Sequence, residues 1–298
     1  MREMKDILKF LASLSRHNNR EWFEAHRAEY MHVKALFEGF AASFIEAVAA
    51  FDPSTEGVTV RDCTYRIYRD VRFSPDKRPY KTHMGVYVAP HGKKSGYAGY
   101  YIHVQPDEDT YFLCSGLYNP TAGVVRSVRE EIMTDGAAFD AAMRACGGFT
   151  PDWEGACRRM PRGWRAEDPF SDYYRLRTYE VYKRVDRDYV LDPQFLENAV
   201  AELCRTRPLN VILNRCVDYA REMGWLRAVS SPEGAVMKCR RDFMVAAAFG
   251  ACVTGVAAIF PTCRWSGRGL CRMTSSCPCS LCRCNRSPYP RATPARHI

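Results

Sequence analysis

Between Met4 and Trp225 the apolar residues follow a helical period, then an alternating one, then a helical one again, and this order decides the fold class. Ile7, Leu8, Leu11 and Leu14 recur at helical spacing, which predicts an amphipathic helix over residues 5–15. Ser15-Arg-His-Asn-Asn breaks it. Asn18, with Glu21 three residues on, stands where a capping box would open a second helix. That helix is long: Trp22, Tyr30, Val33, Phe37, Phe40, Phe44 and Val48 step by three or four, with His26 filling the gap. The stripe reads as core packing with His26 at its edge. Asp52-Pro53 ends the helix, because the residue before proline is pushed out of the α region.

The period then changes to two. Tyr65, Ile67 and Arg69 alternate with Arg66, Tyr68 and Asp70, which predicts a strand, and Met84, Val86 and Val88 repeat the pattern. Residues 98–104 and 110–115 read as a hairpin across Gln105–Asp109. Pro120 opens a helix to about Met133, followed by a shorter one near Ala137–Ala145. Residues 147–172, with their Gly and Pro, read as irregular, and Leu176–Val185 as a strand. Phe195–Cys204 is predicted helical. Pro208 suits the first turn of a last helix, which Gly224 terminates. Helices at both ends with strands between indicate an α+β fold: a mostly antiparallel sheet flanked by N-terminal and C-terminal helices, in a single domain over residues 4–227.

Composition matters for where that domain stops. The chain carries a formal charge of +9, which invites a nucleic-acid reading. Residues 1–238, however, hold 34 Lys and Arg against 33 Asp and Glu, so the folded part is near neutral. The excess lies in residues 239–298, which contain 9 Arg, no Lys and the single acid Asp242. A global electrostatic argument for nucleic acid therefore fails for the domain. Six of the 14 cysteines lie in residues 1–238 without motif spacing, as small core residues do. The start has no apolar run of a secretory signal, which leaves a reducing cytoplasm as the expected setting.

Residues 228–298 read as an irregular tail outside the domain. One reading is translation of an unintended frame, since GC-rich codons read out of frame give such an Arg, Cys, Ser, Pro and Ala mixture. A second is a metal site at Cys277, Cys279, Cys282 and Cys284 with Cys271 upstream; these crowd into one stretch instead of forming two separated hooks. A third is a membrane segment at Phe243–Phe260, which is uncharged but only weakly apolar. The expectation is no membrane partner.

Chemistry concentrates at residues 65–82. Arg66, Arg69, Arg72, Lys77, Arg78 and Lys81 stand there against two acids, Asp70 and Asp76. Ser74-Pro75-Asp76-Lys77 has the make-up of a type I turn, which would fold Lys77 and Lys81 back toward the arginines. Guanidinium groups beside Tyr and Ser hydroxyls suit a phosphate or carboxylate. The opposing reading is an ion-pair network that locks a loop.

The same segment, with Asn18-Asn19-Arg20-Glu21-Trp22-Phe23 ahead of it, resembles the bacterial, archaeal and fungal "domain of unknown function 2461" family. Its Arg-x-x-Arg-Asp-x-Arg-Phe-Ser-x-Asp-Lys-x-Pro-Tyr-Lys signature runs here from Arg66 to Lys81 without a gap. Gly96–Val104, Pro161-Arg162-Gly163-Trp164 and Leu176–Lys183 resemble further family elements, so the likeness covers about residues 5–225. It implies an ending close behind the last helix. It implies no activity and no catalytic residue.

No cofactor motif occurs: there is no Gly-rich phosphate loop, Gly-x-Ser-x-Gly elbow or His-Glu-x-x-His. His83, His91 and His103 lack a partner at ligand spacing, so no metal site is expected. The leading expectation is a cytoplasmic domain that binds a phosphorylated or otherwise anionic small molecule through Arg66, Arg69, Arg72, Lys77 and Lys81. Asp70 and Asp76 are the nearest acid/base groups should the ligand be turned over. A nucleic-acid module using the same loop with Tyr97, Tyr100 and Tyr101 is a second reading. A protein-interaction or structural domain, with the basic segment as a lock, is the third.

Overall fold

The computed structural model describes residues 2–225. The readings of the tail, including Phe243–Phe260 and Cys271–Cys284, lie outside the described residues. The fold is α+β, built on an antiparallel sheet of order β1-β2-β3-β5-β4. The strands are β1 (Met84–Val88), β2 (Gly99–Gln105), β3 (Thr110–Leu117), β4 (Thr150–Pro151) and β5 (Tyr179–Val185). The expected hairpin is there: Gln105 pairs with Thr110, and Asp109 turns the chain at φ 46.

Period two gives the sheet two unlike faces. Val86, Val88, Tyr100, Ile102, Val104, Tyr111 and Leu113 point to one side and are buried there. Helices α1 (Arg2–Arg16), α3 (Arg27–Phe51) and α8 (Phe195–Cys204) pack over them. Further along the same face, Leu117, Tyr179 and Val181 meet α5 (Ala122–Ala145) and α9 (Arg207–Glu222). The remaining short helices are α2 (Arg20–Ala25), α4 (Val60–Cys63), α6 (Ser171–Tyr174) and α7 (Arg187–Leu191). Among the described residues no helix is long and apolar enough to cross a membrane. Four of the six cysteines there are buried, and all six are free thiols.

Two local expectations change. Asn19, not Asn18, caps α2, its side chain accepting from the Trp22 N–H at 2.9 Å. The long aromatic helix breaks at His26, whose ring stacks on Trp22 at 4.0 Å while Nδ1–H donates to the Trp22 carbonyl. The two helices expected after Pro120 are present within α5: they meet at the non-helical Asp135, with Thr121 capping the first and the Asp135 carboxylate accepting the Ala138 N–H at 3.1 Å at the start of the second. Other boundaries hold: α3 ends at Asp52, α8 spans the expected residues, and Gly224 closes α9 at φ 68.

Asp52 also shows how the helical layer is tied to the sheet. Its carboxylate accepts from the Ser54 N–H and hydroxyl and from the hydroxyl of Tyr100 at 2.7 Å. Tyr100 is wholly buried, so its one polar atom needs this partner.

Candidate functional site

Residues 64–83 do not form the strand that alternation predicts at 65–70. The chain makes only isolated bridges, Thr64 to Val86 and Tyr68 to Tyr80. The Arg69 N–H donates to the Pro79 carbonyl at 2.9 Å, and the Lys81 N–H to the Ile67 carbonyl at 2.8 Å. The ladder stops there for a physical reason. The outward groups of Tyr80 are taken by a side chain: Asn18 Nδ2 donates to its carbonyl at 3.0 Å, and Oδ1 accepts its N–H at 3.1 Å. One primary amide thus stands in for a neighbouring strand. Phe23 stacks on the buried Tyr80 ring at 4.0 Å and fixes the same point.

Side chains, rather than a main-chain bond across Ser74–Lys77, hold the tip. Asp76 pairs with Arg69 and with Arg78, the latter at 2.9 Å. Burial pushes the Asp76 carboxyl up, but the bonds from Arg78 and Arg69 outweigh it and hold the group well below the usual range. Asp70 takes Arg72 in a fork at 3.0 and 2.7 Å, and these bonds bring its pKa down to about 2. Lys77 folds back as expected, onto the Val71 carbonyl at 3.0 Å. Carboxylates held this strongly ionised are weak proton acceptors at neutral pH.

These pairs differ in weight. Arg72 is 75% exposed and Arg69 only 20%. Arg72→Ala is expected to change stability by less than about 0.5 kcal/mol, and Arg69→Ala to lower it by about 1–2 kcal/mol. Urea unfolding of the two variants checks this; equal losses would contradict it.

The other cations of the segment sit elsewhere. Arg66 and Lys81 line a cleft of about 480 Å³ between the segment and α3. The α3 wall is Tyr30, Lys34, Phe37 and Glu38, residues on one helical face. Tyr65, Tyr68, His83 and Gly85 also line the cleft, with Arg61 from α4. Asp62 carries α4 into place by accepting the Thr59 N–H and hydroxyl at 3.1 and 2.7 Å. Glu38 is the cleft's acid and is paired with Lys34 at 3.0 Å. Arg66 is exposed and enters no ion pair among the described residues. Gly85 is required at the floor, since a Cβ there would fall 2.3 Å from the Tyr101 hydroxyl.

The structure therefore divides the five cations of the sequence reading. Arg66 and Lys81 reach the cleft; Arg69, Arg72 and Lys77 are tied into the loop. Neither Asp70 nor Asp76 lines it. Sequence reasoning missed Arg61, Lys34 and Tyr30. The aromatic stripe of α3 was visible, but nothing in it told which side would meet residues 64–68. The strand tyrosines also separate. Tyr100 is core, and Tyr97 lies under the Arg221 guanidinium at 4.1 Å with its hydroxyl on Asp218.

Beyond the floor lies the sheet face opposite the helices, which carries Tyr87, Tyr101, His103, Cys114 and Glu180. The Tyr101 hydroxyl donates to His103 Nδ1 at 2.9 Å, and His103 Nε2–H donates to Gln105 Oε1 at 3.1 Å. Burial lowers the His103 pKa to about 4, so the ring is neutral. Glu180 is 5% exposed and accepts from the Cys114 thiol at 3.7 Å. Burial, reinforced by the charge of Asp152, raises its pKa to about 8.

A family model described as "Conserved hypothetical protein (DUF2461)" matches residues 6–211, an extent that includes the loop, the cleft and the whole sheet. The chain belongs to the DUF2461 family. The resemblance seen in residues 66–81 is thereby established, and the signature of DUF2461 maps onto the loop clamped by Asn18. Neither the curated proteins nor the solved structures provide a significant match to the chain.

Proposed function

We propose that this DUF2461 domain binds an anionic small molecule, of the phosphate or carboxylate class, in the cleft beside residues 64–68. One observation carries the reading. Arg61, Arg66, Lys81 and Lys34 line a single cleft whose acid, Glu38, already has a partner in Lys34. A recess with surplus positive charge favours an anion. Arg66 and Lys81 act as ligands in this reading, while Arg69, Arg72 and Lys77 hold the loop that presents them. For these three the lock reading is the better one, because Asp76, Asp70 and the Val71 carbonyl are their partners.

Titration calorimetry of the full chain with inorganic pyrophosphate tests the reading. Arg66→Ala and Lys81→Ala are each expected to raise Kd by about tenfold or more, the weight of one charge-assisted hydrogen bond. Arg72→Ala is expected to leave it within about twofold, since its partner is Asp70. No binding by the unaltered protein, or an equal loss in Arg72→Ala, would refute it.

A further inference from the structure

The cleft has two chemically different ends. At one end, Lys81 Nζ lies 5.3 Å from the centre of the Tyr65 ring and Lys93 Nζ lies 5.8 Å from the same ring. Lys93 Nζ also donates to the carbonyl of Arg61. Two lysines thus flank one phenol, and the backbone of Arg61, whose side chain lines the same cleft, is tied to one of them. At the other end the side chains are rings: Phe23 is 5.0 Å from Tyr30 and 6.1 Å from Tyr68, and Tyr68 is 5.5 Å from Tyr80. Phe23 and Tyr80 are buried behind this end, while Tyr68 remains 44% exposed and lines the cleft. The Lys34–Glu38 pair also lines the cleft, and its carboxylate offers acceptors for hydroxyl groups.

We infer that the occupant is a phosphate ester of a ring-bearing molecule, of the size of a nucleoside monophosphate. Its phosphate lies toward Lys81 and Arg61, and its ring toward Tyr30 and Tyr68. The inference rests on the anion-binding reading and narrows it. Dimensions support it. From Tyr30 to Glu38 the α3 wall runs about 12 Å at 1.5 Å per residue. A cleft of about 480 Å³ falls in the range that encloses a drug-sized ligand and far exceeds what a bare phosphate fills. A planar ring gains from an exposed tyrosine face whatever its hydrogen-bonding pattern, and Lys and Arg supply the charge complement for the phosphate.

The test compares AMP, ribose 5-phosphate and adenosine by calorimetry on the full chain. AMP is expected to bind at least about fivefold more tightly than ribose 5-phosphate, the factor that corresponds to weak ring stacking. Tyr68→Leu is expected to remove that margin and leave ribose 5-phosphate binding unchanged, with near-ultraviolet circular dichroism confirming a folded protein. Lys81→Ala is expected to weaken both phosphates. Equal affinity for AMP and ribose 5-phosphate would overturn the ring inference and leave the anion reading standing. Adenosine binding as tightly as AMP, or no binding by any probe, would overturn both.

Discussion

Replacing Glu180 by Gln is expected to stabilise the protein at alkaline pH and to flatten its dependence of stability on pH. Glu180 lies on β5 with 5% exposure, next to the Cys114 thiol and within the influence of Asp152, and lacks a cationic partner among the described residues. Burial therefore favours its neutral form, with a folded pKa of about 8 against an ordinary value of 4.5. Between those values the folded protein keeps a proton that the unfolded chain has released. Stability must then fall as pH rises through this window. It is unaffected below the window and stays at the lower level above it. A shift of this size corresponds to roughly 5 kcal/mol at most, since each unit is worth about 1.4 kcal/mol, and local opening around β4 would relieve part of it. Glu180→Gln keeps the shape without the charge. Urea unfolding at pH 5 and pH 9 should show the two proteins within about 1 kcal/mol at the acid end and well separated, with the variant more stable, at the alkaline end. Parallel curves for the two proteins would show that Glu180 is solvated in solution.

The second large effect is expected at Asn18. Its side chain satisfies both the N–H and the carbonyl of Tyr80, a residue 3% exposed, across a sequence separation that spans the helical layer and the basic segment. Asn18→Ala leaves both groups unpaired, and each buried orphan costs about 1–3 kcal/mol. A loss of about 3 kcal/mol is expected, with the 64–83 segment most affected. Asn18→Asp separates the contributions, because it keeps the acceptor for the Tyr80 N–H and loses the donor for its carbonyl. Hydrogen exchange at Tyr80, Lys81 and Arg69 reads the local effect: faster exchange in Asn18→Ala with unchanged rates in β3 is the expected result. Uniform acceleration would mean that Asn18 acts on the whole fold.

The two predictions concern opposite sides of one arrangement. Asn18 fixes the segment that walls the cleft, and Glu180 lies on the sheet face beyond its floor. Gly85 separates them, because only a residue without Cβ leaves room for the Tyr101 hydroxyl there.

Much of this was legible in the residue order. Period 3.6 in α1, α3, α8 and α9 and period two in β1, β2 and β3 depend on which side chains can leave water together, and that is a property of spacing. The type of these elements and the α+β class followed, as did the ends at Asp52 and Gly224, which reflect proline sterics and the left-handed backbone. The basic segment was visible as a place for chemistry from its charge alone.

What the sequence could not decide was the division of labour within that segment. Arg66, Arg69, Arg72, Lys77 and Lys81 look alike along the chain. Only the fold brings Asp76 to Arg69, the Val71 carbonyl to Lys77, and the α3 wall to Arg66 and Lys81. Asn18 was read as a local cap because local hydrogen bonds are the ones that spacing reveals; its true partner is Tyr80, brought near by packing. Alternation likewise told that Glu180 faces away from Tyr179 and Val181, but not whether water or protein would meet it. Spacing sets direction locally, whereas partner and solvent exposure depend on residues distant in the chain, and these were decided by the tertiary structure.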